Sequence, residues 1–159
     1  MWASVQTVRG CPKHCSFCSV WRTDGQEPRQ RHVDRVVHEI VELRRLGFRF
    51  IALADDNFYP VSFDDLAQAR RRGDPSRLIE LQALRDERFE LMTRLARLPD
   101  DLVFYTQITM EGAEDPAFLD AMRLAHIAAR VARCGSPHRQ RRAVSQVHFA
   151  AEVIARARR

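Results

Sequence analysis

Three cysteines stand close together near the start of the chain, in the run Cys11-Pro-Lys-His-Cys15-Ser-Phe-Cys18. Thiolates are soft ligands, and three on one short loop can converge on a compact inorganic core such as an iron–sulfur cluster. A cubane of four irons takes four ligands, so this loop leaves one iron open to a non-protein ligand, and chemistry could begin at that corner. A structural zinc site with His14 or His32 as fourth ligand is the alternative, because zinc favours closed Cys/His shells. Such sites usually show two separated ligand pairs, and no second Cys pair or close-spaced His pair follows here. An odd number of thiols in the loop argues against a disulfide framework.

The surrounding pattern supplies elements to position this loop. Ala3 to Val8 alternates in polarity and reads as a short strand, with Gly10 freeing the turn and Pro12 stiffening the entry. Asp24-Gly25 and Pro28 mark residues 19–31 as a surface loop, in which Trp21 either covers a bound cluster or plugs the neighbouring helix. Val33, Val36, Val37, Ile40, Leu43 and Leu46 recur at helical spacing, and Gly47 stands where that helix ends. Phe48 to Ala54 is a near-continuous apolar run, as a buried parallel strand requires. Ser62 with Asp65 predicts a capping box, Asp74-Pro75 and Asp115-Pro116 predict two further helix starts, and residues 102–110 predict a third strand.

Asp55-Asp56-Asn57 falls at the carboxyl end of the second strand, where ligand-binding groups gather in parallel α/β sheets and barrels. A carboxylate there can accept a hydrogen bond from an ammonium, although Asp and Asn are also common turn formers. Gln107, Thr109 and Glu111 recur at every second position and are expected on one face, as a cavity lining or an ordinary polar edge.

The cysteine spacing, with Phe17 just before the third cysteine, resembles the signature loop of the radical S-adenosylmethionine (radical SAM) enzymes. The run from Thr7 to Cys11 and the stretch Ala54 to Phe58 are most similar to a branch whose members often carry a cobalamin-binding domain ahead of the radical domain. The resemblance covers residues 1 to about 127. It implies that Cys11, Cys15 and Cys18 hold a [4Fe–4S] cluster and that S-adenosylmethionine chelates the fourth iron. It implies further that one electron, from a reductant such as flavodoxin or ferredoxin, splits the sulfonium to a 5′-deoxyadenosyl radical. Phe17 would lie near the adenine, and Asp55, Asp56 or Asn57 would meet the amino group. Many members carry Gly-Gly-Glu at that last place, and this chain departs from them. The implied fold is α/β: the first three strand–helix units of a partial (β/α)6 barrel.

After Ile127 the pattern changes. Residues 128–159 hold eight arginines against the single acid Glu152, so of the net charge of +5 this tail carries +7 and residues 1–127 carry about −2. No fourth strand is expected past Ile127, only a basic tail with a candidate amphipathic helix over residues 143–158. A truncated or frame-shifted member of the family is the expectation that follows. The tail has one aromatic, Phe149, and the rest is slightly acidic, so a surface that both stacks bases and binds phosphates is not expected. A structural metal module with a basic nucleic-acid-binding tail and a cluster-bearing electron carrier are the competing readings. No run is long enough to span a membrane and no signal peptide is evident, so a cytoplasmic protein is expected.

Overall fold

The computed structural model describes residues 1–16 and 18–132. Phe17, the fourth cysteine Cys134 and the candidate helix at 143–158 lie outside the described residues. In chain order the elements are β1 (Trp2–Val5), β2 (Val8–Arg9), α1 (Val20–Thr23), β3 (Arg29–Gln30), α2 (Val33–Arg45) and β4 (Phe50–Leu53). They continue with α3 (Phe63–Arg72), α4 (Pro75–Leu95), β5 (Val103–Thr109), α5 (Met110–Ala113), α6 (Pro116–Leu124) and β6 (Ile127–Ala132). Strands β1, β4, β5 and β6 form one sheet in that spatial order, all parallel. Sequential parallel neighbours joined by helices are the opening units of a β/α barrel.

Burial along the strands shows which face the helices cover. Val5, Ile51, Leu53, Phe104, Ile108 and Ile127 are buried in one core with Val36 and Ile40 of α2, Met92 and Leu95 of α4, and Phe118 and Met122 of α6. The opposite parity stays open: Trp2 is 68% and Phe50 38% exposed, and the two are register partners. Gln107 is exposed on the same side. Among the described residues the sheet thus has one helix-covered face and one more open face, as a strand wall of a β/α barrel does.

The helix starts match their sequence signals. Ser62 and Asp65 form a reciprocal capping box, and Asp74 and Asp115 each accept a backbone N–H of the helix that Pro75 or Pro116 begins. Gly73 ends α3 in the left-handed region at φ 65°.

Two expectations are corrected. The segment past Ile127 does form a strand: β6 pairs with β5 from Phe104↔Ile127 to Thr109↔Ala132 and so crosses the 127/128 boundary. Ile-Ala-Ala-Arg-Val-Ala has little β-propensity, but the free edge of β5 offers a full ladder of backbone partners, and tertiary context outweighs propensity. The presumed surface loop at 19–31 also contains a helical turn, α1, and a two-residue strand, β3, antiparallel to β2.

Candidate cluster-binding loop

The β2–β3 ladder pairs Val8 with Gln30 and Arg9 with Arg29, closing the cysteine segment into a loop with a fixed base. Just above that base Gly10 has φ +91°, and a Cβ there would lie 2.8 Å from the Glu27 carbonyl oxygen and 3.1 Å from that of Gly25. The same Gly25 oxygen accepts the Cys11 N–H at 3.1 Å. The chain therefore turns where only glycine fits, and the turn delivers Cys11 to a buried position.

Further along the loop, Cys18 N–H donates to the Cys15 carbonyl at 3.2 Å. Trp21 folds back over the loop, donating its indole N–H to the Cys15 carbonyl at 3.2 Å and stacking on His14 with ring centroids 3.7 Å apart. Arg22 lies over the same indole. Trp21 thus covers the loop itself, and His14 is engaged as a ring partner. His32 precedes α2 and faces Asp34.

Cys11 and Cys18 are free thiols. Burial pushes the Cys11 thiol up, and the neighbouring charges of Cys18 and Asp56 act in the same direction. Among the described residues no three Cys, His, Asp or Glu side chains stand close enough to hold a metal ion. Thiols gather as thiolates only when a metal supplies the opposing charge, so assembly of such a site is coupled to binding. The donor set fits a cluster in its chemistry: three sulfurs on one short loop, one of them buried.

Lys13 ties the loop to the sheet's carboxyl edge, with its ammonium 3.4 Å from Glu111 and 3.8 Å from Asp65. Glu111 does not continue the face of β5, as its spacing had suggested; the strand ends at Thr109 and Glu111 belongs to α5. Thr109 is buried, and its hydroxyl has no hydrogen-bond partner among the described residues.

The acidic triplet lies against the loop entry. Asp55 is buried and accepts from Thr7 N–H at 2.6 Å, Val8 N–H at 2.9 Å and the Thr7 hydroxyl. Asp56 is exposed and accepts from Gly10 N–H at 3.2 Å. Buried Asn57 is spent on its own turn, donating to the Tyr59 carbonyl at 2.7 Å and accepting Tyr59 N–H at 3.1 Å. Of the three, Asp56 keeps a solvent-facing carboxylate beside the loop.

Sequence reasoning missed Thr7 and Arg88. Thr7 opens the run that resembles the family, but nothing in its spacing marks its side chain as an anchor. Arg88 did carry a signal: it stands midway between Leu81 and Leu95, seven residues from each, where the stripe of α4 calls for an apolar side chain. It is 1% exposed.

The three-cysteine loop thus stands at the carboxyl edge of a parallel sheet. The sequence profile of the radical SAM superfamily matches residues 5–134. The chain belongs to that superfamily. Curated relatives match it over a shorter stretch. A tRNA-2-methylthio-N(6)-dimethylallyladenosine synthase of Chlorobaculum tepidum is 44% identical over 55 residues, which are 35% of this chain and 12% of the relative. A cytidylyl-2-hydroxyethylphosphonate methyltransferase of Streptomyces wedmorensis is 42% identical over 54 residues, 33% of this chain and 10% of the relative. Among solved structures, the radical S-adenosylmethionine methyltransferase TsrM of Kitasatospora setae, with cobalamin and a [4Fe–4S] cluster bound, superposes with a TM-score of 0.58 at 20% identity. That superposition covers 82% of this chain and 20% of TsrM, and it shows the fold. The matched region is thus a small part of the length of each of these proteins.

Among the described residues no helix is long and apolar enough to cross a membrane.

Proposed function

We propose that this chain carries the cluster-binding part of a radical SAM enzyme, with Cys11, Cys15 and Cys18 holding a [4Fe–4S] cluster. When bound, the cluster supplies the electron that cleaves S-adenosylmethionine to methionine and a 5′-deoxyadenosyl radical. The chain's own work is positional and electrostatic. The β2–β3 ladder and the Gly10 turn hold the loop base, Trp21 shields the loop from one side, and Lys13 ties the loop to Glu111 and Asp65. Asp56 is the member of the triplet we assign to the amino group of S-adenosylmethionine, because its carboxylate is exposed beside the loop. Asp55 holds the loop entry at Thr7 and Val8, and Asn57 closes the turn at Tyr59. Phe17 is assigned to the adenine by its place in the motif.

A one-electron donor such as flavodoxin or ferredoxin is the implied reductant. Cobalamin enters this proposal only through longer relatives such as TsrM. The observation that carries the reading is the placement of the cysteine loop at the carboxyl edge of the sheet, bonded there by the aspartates that follow β4. The test is anaerobic reconstitution of the reduced chain with iron and sulfide, followed by dithionite and S-adenosylmethionine. A brown protein that forms 5′-deoxyadenosine supports it; a colourless protein with stoichiometric zinc refutes it.

A further inference from the structure

Arg88 lies in the middle of α4, 1% exposed, with its guanidinium carbon 4.5 Å over the ring of Phe58. Its Nη1 donates to the Thr7 hydroxyl at 2.6 Å and stands 3.8 Å from an Asp55 carboxylate oxygen. Its Nε and Nη2 are buried and have no hydrogen-bond partner among the described residues. Burial drives its pKa down to about 10, against the pull of Asp55 and Glu87. A buried cation satisfied at one of its three nitrogens is costly, and an apolar residue would serve the core better.

The hydrogen-bond directions show what this cost secures. A guanidinium only donates, so the Thr7 oxygen must accept from Arg88. Its one hydroxyl proton is then committed to Asp55, which also accepts the Thr7 and Val8 amides. The relay from Arg88 through Thr7 to Asp55 thus has a single polarity. It grips the chain between β1 and β2, three residues before Gly10 and four before Cys11. From this geometry we infer that Arg88 is a positioning residue for the cysteine loop: acting through Thr7 and Asp55, it fixes the path by which the chain leaves the sheet and enters the loop. The inference concerns the loop that the proposed function makes metal-binding, but its test needs no metal, so either can fail while the other stands.

The test is amide hydrogen exchange on the full chain under reducing conditions. In Arg88→Met the Thr7 and Val8 amides should exchange at least about tenfold faster, with the Phe104 amide of the central strand β5 unchanged. Thr7→Val should reproduce that pattern, and Thr7→Ser, which keeps the hydroxyl, should not. The double variant Thr7→Val/Arg88→Met should exchange no faster than either single variant, because both break one relay. Iodoacetamide should also alkylate Cys11 faster relative to Cys18 in Arg88→Met. Unchanged exchange at Thr7 and Val8, a rise that includes Phe104, or additive effects in the double variant would each overturn the inference.

Discussion

Gly10→Ala probes the loop base most sharply, and its cost can be worked from the structure. Two effects combine. With φ at +91°, an L-residue there is in a backbone region that costs about 1–2 kcal/mol. The added Cβ would also meet three carbonyl oxygens, of Glu27 at 2.8 Å, Gly25 at 3.1 Å and Asp24 at 3.3 Å. These are backbone atoms that cannot rotate away, and overpacking of that kind costs about 1–3 kcal/mol. The expected loss is therefore about 2–5 kcal/mol, a large part of the roughly 5–15 kcal/mol that holds an ordinary domain together. Gly73→Ala is the control: its φ is +65°, yet nothing among the described residues lies within 4 Å of the added Cβ. Only the conformational cost applies there, about 1–2 kcal/mol. Equilibrium urea unfolding of both variants in reducing buffer measures the difference. A cost for Gly10→Ala no greater than for Gly73→Ala would show that the ring of carbonyls yields freely, and would refute this assignment.

Two further outcomes follow from the same geometry. Tyr59 donates to Asp115 at 2.9 Å, and burial, followed by that carboxylate, pushes its phenol well above the usual tyrosine range. Its pKa is raised on folding, so the stability it contributes is complete below about pH 10 and falls as pH climbs from there toward the folded value. In an alkaline absorbance titration Tyr59 should stay un-ionised until the chain unfolds, and full ionisation of both tyrosines in folded protein would contradict this. Ser62→Ala removes a buried cap whose hydroxyl donates to Asp65 at 2.6 Å and accepts from the Asp65 amide at 3.3 Å. It should cost about 1 kcal/mol in urea unfolding, and a cost near zero would show that α3 does not need the cap.

The parts of the fold legible in the sequence were those governed by local chemistry. Ser62 with Asp65, Asp74-Pro75 and Asp115-Pro116 announce helix starts because the groups that satisfy the free N–H donors are near in sequence. The alternation around β1 and the apolar run before Asp55 announce strands for the same reason. What escaped depends on partners distant along the chain. β6 has weak propensity and forms because the edge of β5 is there to receive it. Glu111 continues the two-residue spacing of β5 on paper, but the chain turns into α5 before reaching it. The cysteine loop was legible by spacing alone. Its anchoring was not, since Thr7, Asp55 and Arg88 meet across separations of 48 and 81 residues.

The central claim is that the three early cysteines hold a cluster with one iron open to S-adenosylmethionine. Electron paramagnetic resonance of the reconstituted, dithionite-reduced chain, with and without S-adenosylmethionine, tests it most directly. The account predicts about four irons and four sulfides per chain, a reduced-cluster signal that shifts when S-adenosylmethionine is added, and loss of both in Cys11→Ser. A cluster signal that S-adenosylmethionine leaves unmoved, or full iron loading in Cys11→Ser, would contradict it.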